Sequence, residues 1–216
     1  MPKIAASIVF PVSAPPRRNA VVRTDDNGVV LSVSKGNASF SEMAGVEFYS
    51  GILIPGLVDL LSDPECDSHR LVAEGVRVTG RIGDPDQEVR TWKNRYGLEL
   101  SYRFFDNMDN FNNGFRKGET RGVFCSMGSG LSLQALASFG RTDLLSLMFE
   151  LQEGPLRYRL PDLITMATMN GAHALDYQKE AGAISPGMRP GLNIIEGVDV
   201  SGMRLLPVSR LKRLRV

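Results

Sequence analysis

Strand-forming segments stand at both ends of this sequence, and segments with helical periodicity lie between them. Near the start, apolar runs occupy residues 4–12, 20–24, 29–33 and 48–55. Near the end, the strand pattern returns at residues 192–196, 204–207 and 210–216. The turn at residues 25–28 contains Asn-Gly, which tolerates positive φ and favours a hairpin. This arrangement predicts a β element assembled from both chain ends that encloses an α/β insert.

Helical periodicity is clearest in the last third of the chain. Residues 131–139 and 143–152 carry apolar residues at helical spacing. One stripe consists of Leu144, Leu147, Met148 and Leu151. Pro161 suits the first turn of a helix that runs to about Met169. Asn170-Gly171 is expected to cap or kink that helix, and a short helix should follow at residues 172–177.

The sequence from residue 63 to 130 indicates little regular structure. Short strands are expected at residues 75–78, 98–102 and 122–126. No long helix is predicted there. The glycine-containing stretch at residues 80–86 lacks the lysine of a phosphate-binding P-loop and is interpreted as a surface turn.

Composition narrows the classes of partner. The chain has 25 basic and 24 acidic residues and a net charge of +1, so no global field draws it to nucleic acid or to a membrane. Cys66 and Cys125 are the only cysteines and give no disulfide framework. No apolar stretch approaches the roughly 18 residues of a membrane span. We therefore expect a cytoplasmic protein with free thiols and no nucleic-acid or membrane partner.

Two stretches carry a family resemblance: GILIPGLVDLLSDPE at residues 51–65 and the run from 163 to 197. In the second, one motif resembles T-x-N-G-A and another resembles G-x-I-x-P-G-x-x-A-D-L. The matching residues are Thr168, Asn170, Gly171, Ala172, Gly182, Ile184, Pro186, Gly187 and Leu192. Together the stretches resemble the amidohydrolase superfamily, in its cytosine-deaminase-like and aminodeoxyfutalosine-deaminase-like branch.

The resemblance implies an α/β fold with two parts. Residues 1–56 and 178–216 would form a small composite β-sandwich, and residues 57–177 would form a reduced α/β body. A complete (β/α)8 barrel takes about 250 residues, and fewer than half that number lie between Val58 and Leu175. The body is therefore expected to be an incomplete barrel remnant whose exposed strand edges need covering. Formation of a homo-oligomer is one way to cover them.

The same resemblance places a metal centre that this sequence does not supply. The family's His-x-His pair falls on Leu61 and Asp63, and its metal-binding aspartate falls on Ser129 and Gly130 in the segment 123–134. The only histidines are His69 and His173, and His173 is predicted to be a buried, hydrogen-bonded helix residue. A catalytic zinc or iron typically needs about three protein ligands. The sequence therefore predicts no catalytic residues, no metal and no cofactor.

Two alternative sites remain open at this stage. A rebuilt metal site could use Asp63, Glu65 and His69, with Cys66 and Asp67 in the same segment. The turn formed by Gly128, Ser129 and Gly130 could bind an anion through backbone N–H groups, although Met127 stands where a nucleophile elbow requires glycine.

We expect a non-catalytic, amidohydrolase-like protein that binds a small-molecule ligand or acts as a scaffold. The alternative is a hydrolase or deaminase that acts on C–N bonds of a small cyclic or amide substrate through a rebuilt site.

Overall fold

The strands account for most of the regular structure. The computed structural model describes residues 1–35, 45–62, 66–83, 91–105 and 143–215. Ten strands lie in these residues. They are β1 (Lys3–Val9), β2 (Arg17–Thr24), β3 (Val30–Lys35), β4 (Val46–Pro55), β5 (Leu57–Asp59), β6 (Val76–Ile82), β7 (Thr91–Lys93), β8 (Glu99–Phe105), β9 (Leu192–Glu196) and β10 (Arg210–Leu214).

The two chain ends share one six-stranded sheet with the order β10-β9-β4-β1-β2-β3. β4 pairs with β1 in parallel and with β9 antiparallel, in a register that runs from Ile52 opposite Ile195 to Pro55 opposite Leu192. The β2–β3 turn is held by Asp25, whose carboxylate accepts hydrogen bonds from two backbone N–H groups. The predicted β element built from both termini is confirmed, but the finer prediction of a β-sandwich is not.

A second sheet follows at once in the chain. Its order is β5-β6-β8-β7, with the first three strands parallel and β7 antiparallel to β8. The strands predicted at residues 75–78 and 98–102 correspond to β6 and β8. β6 extends to Ile82, so the first residues of the stretch 80–86 are strand and their interpretation as a surface turn is wrong. The strand predicted at residues 122–126 lies outside the described residues.

The helices in the described residues are short. They are α1 (Ser68–Ala73), α2 (Leu144–Glu153), α3 (Leu160–Thr165), a π-helical turn (Met166–Asn170) and α4 (Gly171–Ala174). Asp143 caps the start of α2, because its carboxylate accepts from the Ser146 N–H at 2.9 Å. Gly154 caps the other end, where the sequence predicts that the helix ends. The helix predicted at residues 131–139 lies outside the described part. None of the described helices is long and apolar enough to cross a membrane.

The helical path continues through Asn170 and Gly171, which the sequence predicted as a cap or a kink. Both residues have right-handed helical φ values, of −65° for Asn170 and −61° for Gly171, so neither caps the helix. The glycine is required by packing instead: a Cβ on Gly171 would lie 2.8 Å from Cγ1 of Val58. Its role is therefore to let α4 approach β5 closely.

The prediction of a strand at residues 204–207 is wrong. Only an isolated bridge between Asp199 and Arg204 forms there. The backbone of Leu205 pairs with a side chain rather than with a strand, because Gln152 on α2 accepts from its N–H at 2.8 Å and donates to its carbonyl at 3.0 Å. This buried amide satisfies both backbone groups that a strand partner would have satisfied.

We expect Gly171→Ala to destabilise the protein. Alanine normally stabilises a helix by about 1 kcal/mol relative to glycine, but overpacking against Val58 should cost about 1–3 kcal/mol. Urea unfolding would measure the difference. The same substitution in a Val58→Ala background should cost less because the nearest methyl group is gone. A neutral or stabilising Gly171→Ala would contradict the close approach of α4 to β5.

Candidate functional site

The carboxyl ends of the parallel strands β5, β6 and β8 lie at one edge of the smaller sheet. After β5 the chain continues through Leu60, Leu61 and Ser62 beside β6, and the Ser62 N–H donates to the Gly80 carbonyl at 3.0 Å. Gly80 leaves the space that the Leu60 carbonyl occupies, since a Cβ there would clash with it. In open parallel sheets ligands bind beside this edge, so the segment after β5 is the first place to look for a site.

Apolar side chains pack together at this edge. An apolar group, here called the edge cluster, is formed by buried side chains from β5, β6 and the helical segment around α4. Its members are Val58, Leu60, Leu61, Val78, Ala172, Leu175 and Ala181. Leu61 is only 8% exposed. Partly buried Phe105 and Tyr177 pack against the cluster.

Leu61 occupies the position where the resemblance requires the first metal-binding imidazole. Its side chain has no lone pair, and the other members of the edge cluster offer an ion only methyl and methylene groups. Moving a charge into such surroundings without ligands is strongly unfavourable. Leu61 and the other members of the edge cluster therefore do not fit the metal that the resemblance implies.

A fixed positive charge stands at the same edge. Arg81 on β6 donates from Nε to the Ser62 hydroxyl at 3.2 Å and from Nη2 to the Cys66 carbonyl. Its guanidinium also lies 5.1 Å from the centre of the Tyr102 ring. These contacts hold the segment after β5 against β6 and β8. Since like charges repel, the guanidinium opposes any divalent cation beside it.

Tyr102 ties α1 and the segment after α4 to this edge. Its hydroxyl forms a 2.5 Å hydrogen bond with the hydroxyl of Ser68 at the start of α1. Its backbone carbonyl accepts from the hydroxyl of Tyr177 at 3.1 Å, and its ring stacks on Phe104. The edge is thus closed by packing and hydrogen bonds.

The candidate ligands that follow β5 do not converge where the structure describes them. Burial raises the pKa of the Cys66 thiol, and nearby Glu74 raises it further, which disfavours the thiolate that binds metals. Asp67 is exposed, and exposed His69 packs edge-on against Trp92 with ring centres 4.6 Å apart. Within residues 1–35, 45–62, 66–83, 91–105 and 143–215, no three His, Cys, Asp or Glu side chains form a group that could hold a metal ion.

The remaining predicted residues fall into two groups. Asp63, Glu65, Gly128, Ser129 and Gly130 lie outside the described residues, as does the segment 123–134. His173 is described and is exposed, so its prediction as a buried residue is wrong. The adjacent Gly171 and Ala172 are buried, and a helix turns about 100° per residue, which directs position 173 outward.

Sequence reasoning missed Arg81 and Tyr102 as the residues that organise this edge. Arg81 belongs to a stretch with two glycines and a proline, which predicts a turn. Tyr102 stands in a strand without any motif. No signal in the sequence alone would have paired them, because their contact depends on the parallel pairing of β6 with β8.

The comparisons with known proteins agree with this geometry at the level of fold. No family model matches the chain, and no curated protein is similar to it in sequence. Guanine deaminase of E. coli is similar in structure with a TM-score of 0.55 and 10% identity, over 90% of this chain and 88% of that one. Atrazine chlorohydrolase from Arthrobacter aurescens, complexed with zinc, gives 0.51 and 10%, over 95% and 90%. A zinc-bound adenosine deaminase from Xanthomonas campestris gives 0.50 and 12%, over 95% and 86%.

These structures belong to the amidohydrolase superfamily. This chain shares their fold. At 10–12% identity the similarity establishes the fold alone. The specific branch suggested by the sequence remains a prediction.

We expect Leu61→Ala to destabilise the protein by about 2–4 kcal/mol, since it removes a buried leucine from the edge cluster. Leu156→Ala is the matched control because Leu156 is 73% exposed, and it should change stability by about 0.5 kcal/mol or less. Urea unfolding of both variants makes the comparison. Equal effects would show that Leu61 does not fill the edge.

Proposed function

We propose that this chain is a non-catalytic protein derived from the amidohydrolase superfamily, with a binding or scaffolding role. The proposal includes a composite terminal domain of residues 1–56 and 178–216 and a reduced body of residues 57–177. The observation that carries it is the burial of Leu61 in the edge cluster, at the position where the resemblance requires a metal-binding imidazole.

The small number of histidines, which could serve as metal ligands, supports the proposal. A catalytic zinc lowers the pKa of its bound water to about 7 with typically three protein ligands and one open position. The whole chain has two histidines. His69 packs against Trp92, and His173 is exposed on α4. Neither histidine stands at position 61, where a leucine replaces the family's ligand.

The terminal sheet supports a role in binding rather than in self-pairing through its β10 edge. β10 exposes Arg210 and Lys212, and Lys and Arg on an edge strand discourage pairing with another copy because like charges meet. On the smaller sheet, α4 packs against β5 through Gly171 and Val58. The charges on β10 disfavour a homo-oligomer that extends the sheet through this edge.

A second candidate function is hydrolysis or deamination at a C–N bond of a small cyclic or amide substrate. It is favoured by the names of the similar structures, which include guanine and adenosine deaminases. Such activity would need a rebuilt site containing Asp63, Glu65 and His69. His69 would then have to leave Trp92 to serve as a ligand.

Elemental analysis and activity assays on the same preparation distinguish the two functions. We expect less than about 0.1 equivalent of zinc, iron or manganese per chain, because about three ligands are needed for tight binding. We also expect no ammonia release from aminopurine, aminopyrimidine or amide substrates, with or without added zinc.

The two histidines provide the variants for that experiment. If the second function holds, one equivalent of metal and measurable turnover should be present and should be lost in His69→Ala but retained in His173→Ala. That result would overturn the non-catalytic proposal. Metal and turnover retained in both variants would also overturn it, while placing the ligands elsewhere.

A further inference from the structure

A cleft whose lining does not include Leu61 lies where the terminal sheet meets β6 and β8. Its cavity volume is about 30 Å³, and it opens to solvent. The charged residues of its wall are Arg77, Glu99, Arg189 and Arg213, and the turns at Gly28 and Gly97 border it. We call it the arginine cleft.

A β-bulge directs Arg77 into the cleft. In the parallel pairing of β5 with β6, Leu57 lies opposite Val76 and Val58 opposite Val78, so Arg77 is the extra residue. Bulges redirect side chains and are uncommon between parallel strands. The Arg77 side chain is only 5% exposed and donates to the Ser101 hydroxyl at 2.7 Å. Burying an arginine here is costly unless its charge is compensated.

The Glu99 carboxylate forms ion pairs with three of the surrounding cations. Glu99 lies 3.5 Å from Arg77, 3.0 Å from Arg189 and 3.4 Å from Lys93 in its nitrogen–oxygen distances. Two of these contacts share a single oxygen, Oε2. Glu180 does not line the cleft, but its negative charge attracts Arg77 and raises the pKa of that guanidinium. The cations thus outnumber the carboxylates even before Arg213 is considered.

Arg213 has no carboxylate partner among the described residues. It donates from Nη1 to the Gly75 carbonyl at 3.1 Å, while its buried Nε has no hydrogen-bond partner in the part of the chain that the structure describes. A Cβ on Gly56 would lie 2.8 Å from Nη1, and one on Gly191 would clash with the guanidinium. The two glycines therefore make room for a charge that the protein does not neutralise.

The pKa of Arg213 agrees with an uncompensated charge. Burial, followed by repulsion from Arg77, lowers the pKa of Arg213 to about 9, and Glu99 only partly opposes this shift. Burial also lowers the pKa of Arg77. Among the described residues that line the cleft, Arg77, Arg189 and Arg213 are cations and Glu99 is a carboxylate. Three positive charges and one negative charge leave an excess of two positive charges in the lining.

We propose that the arginine cleft binds the phosphate group of a small molecule. A phosphate monoester carries a charge of about −1.5 to −2 at neutral pH, which matches the excess, whereas a single carboxylate would neutralise half of it. Arginine is suited to phosphate because its N–H groups donate in a planar fork. This inference concerns a different site from the edge cluster, so it does not depend on the absence of metal chemistry.

The probes are inorganic phosphate, glycerol phosphate and acetate, titrated into the full chain at constant ionic strength and neutral pH by calorimetry, with Tm measured in parallel. We expect one phosphate site per chain and a Tm rise of about 5 °C at about 100 times Kd. Acetate should bind much more weakly. Tighter binding of glycerol phosphate than of inorganic phosphate would indicate an organic phosphate ligand, and the reverse would indicate the free ion.

Three variants test the location. Arg213→Met and Arg189→Gln should each weaken phosphate binding at least about tenfold, while Arg18→Gln, an exposed control on β2, should not change it. Arg189 is partly exposed, so its variant is expected to fold. Arg213→Met should also raise the Tm of the ligand-free protein, since it removes a partly buried charge that has no carboxylate partner among the described residues.

Three results would overturn the proposal. One is the absence of phosphate binding to the wild-type chain at about 20 mM, a concentration well above the Kd of an ordinary ligand. Another is an equal loss of binding in all three variants, which would indicate general attraction of anions to basic residues. A lowered Tm in Arg213→Met without any change in phosphate affinity would likewise assign the cluster a structural role alone.

Discussion

The antiparallel pairing of β4 with β9 is the interaction on which the rest of the structure depends. It joins the strands of the N-terminal segment to those of the C-terminal segment in one sheet. β4 then leads into β5 through Gly56 alone, whose N–H donates to the Gly191 carbonyl at 3.0 Å. A Cβ on Gly56 would lie 2.6 Å from the Pro190 carbonyl oxygen, so no larger residue fits at this crossing. One junction therefore positions both the edge cluster on β5 and Arg213 on β10.

Much of the fold could be predicted from local patterns, because strands and turns leave their signal in neighbouring residues. The apolar runs correspond to β1–β4, and β9 matches its predicted range completely. The parallel pairing of β1 with β4 could not be predicted, since two strands lie between them in the sequence and nothing in either one specifies the partner. α1 is only six residues long, which is too short for helical periodicity to stand out.

The two sites differ in how far the sequence could reveal them. Leu61 was identifiable because it stands at a fixed distance from a Pro-Gly turn within one continuous motif. The arginine cleft brings together residues 77, 99, 189 and 213, and no local pattern links positions so far apart. The bulge at Arg77 depends on the register between β5 and β6. Register is a property of the pair and is invisible in either strand alone.

The two sites also have opposite physical character, and this contrast bears on function. At the edge cluster, hydrocarbon stands where metal chemistry would require lone pairs, and Leu61 contributes stability through burial. The arginine cleft contains charged side chains instead. Replacing buried ions with well-packed apolar groups often leaves protein stability unchanged or raises it. Retaining several arginines around one carboxylate is hard to explain by folding alone. A ligand that supplies the missing negative charge explains it, because the binding energy would then offset the cost of burying Arg77 and Arg213.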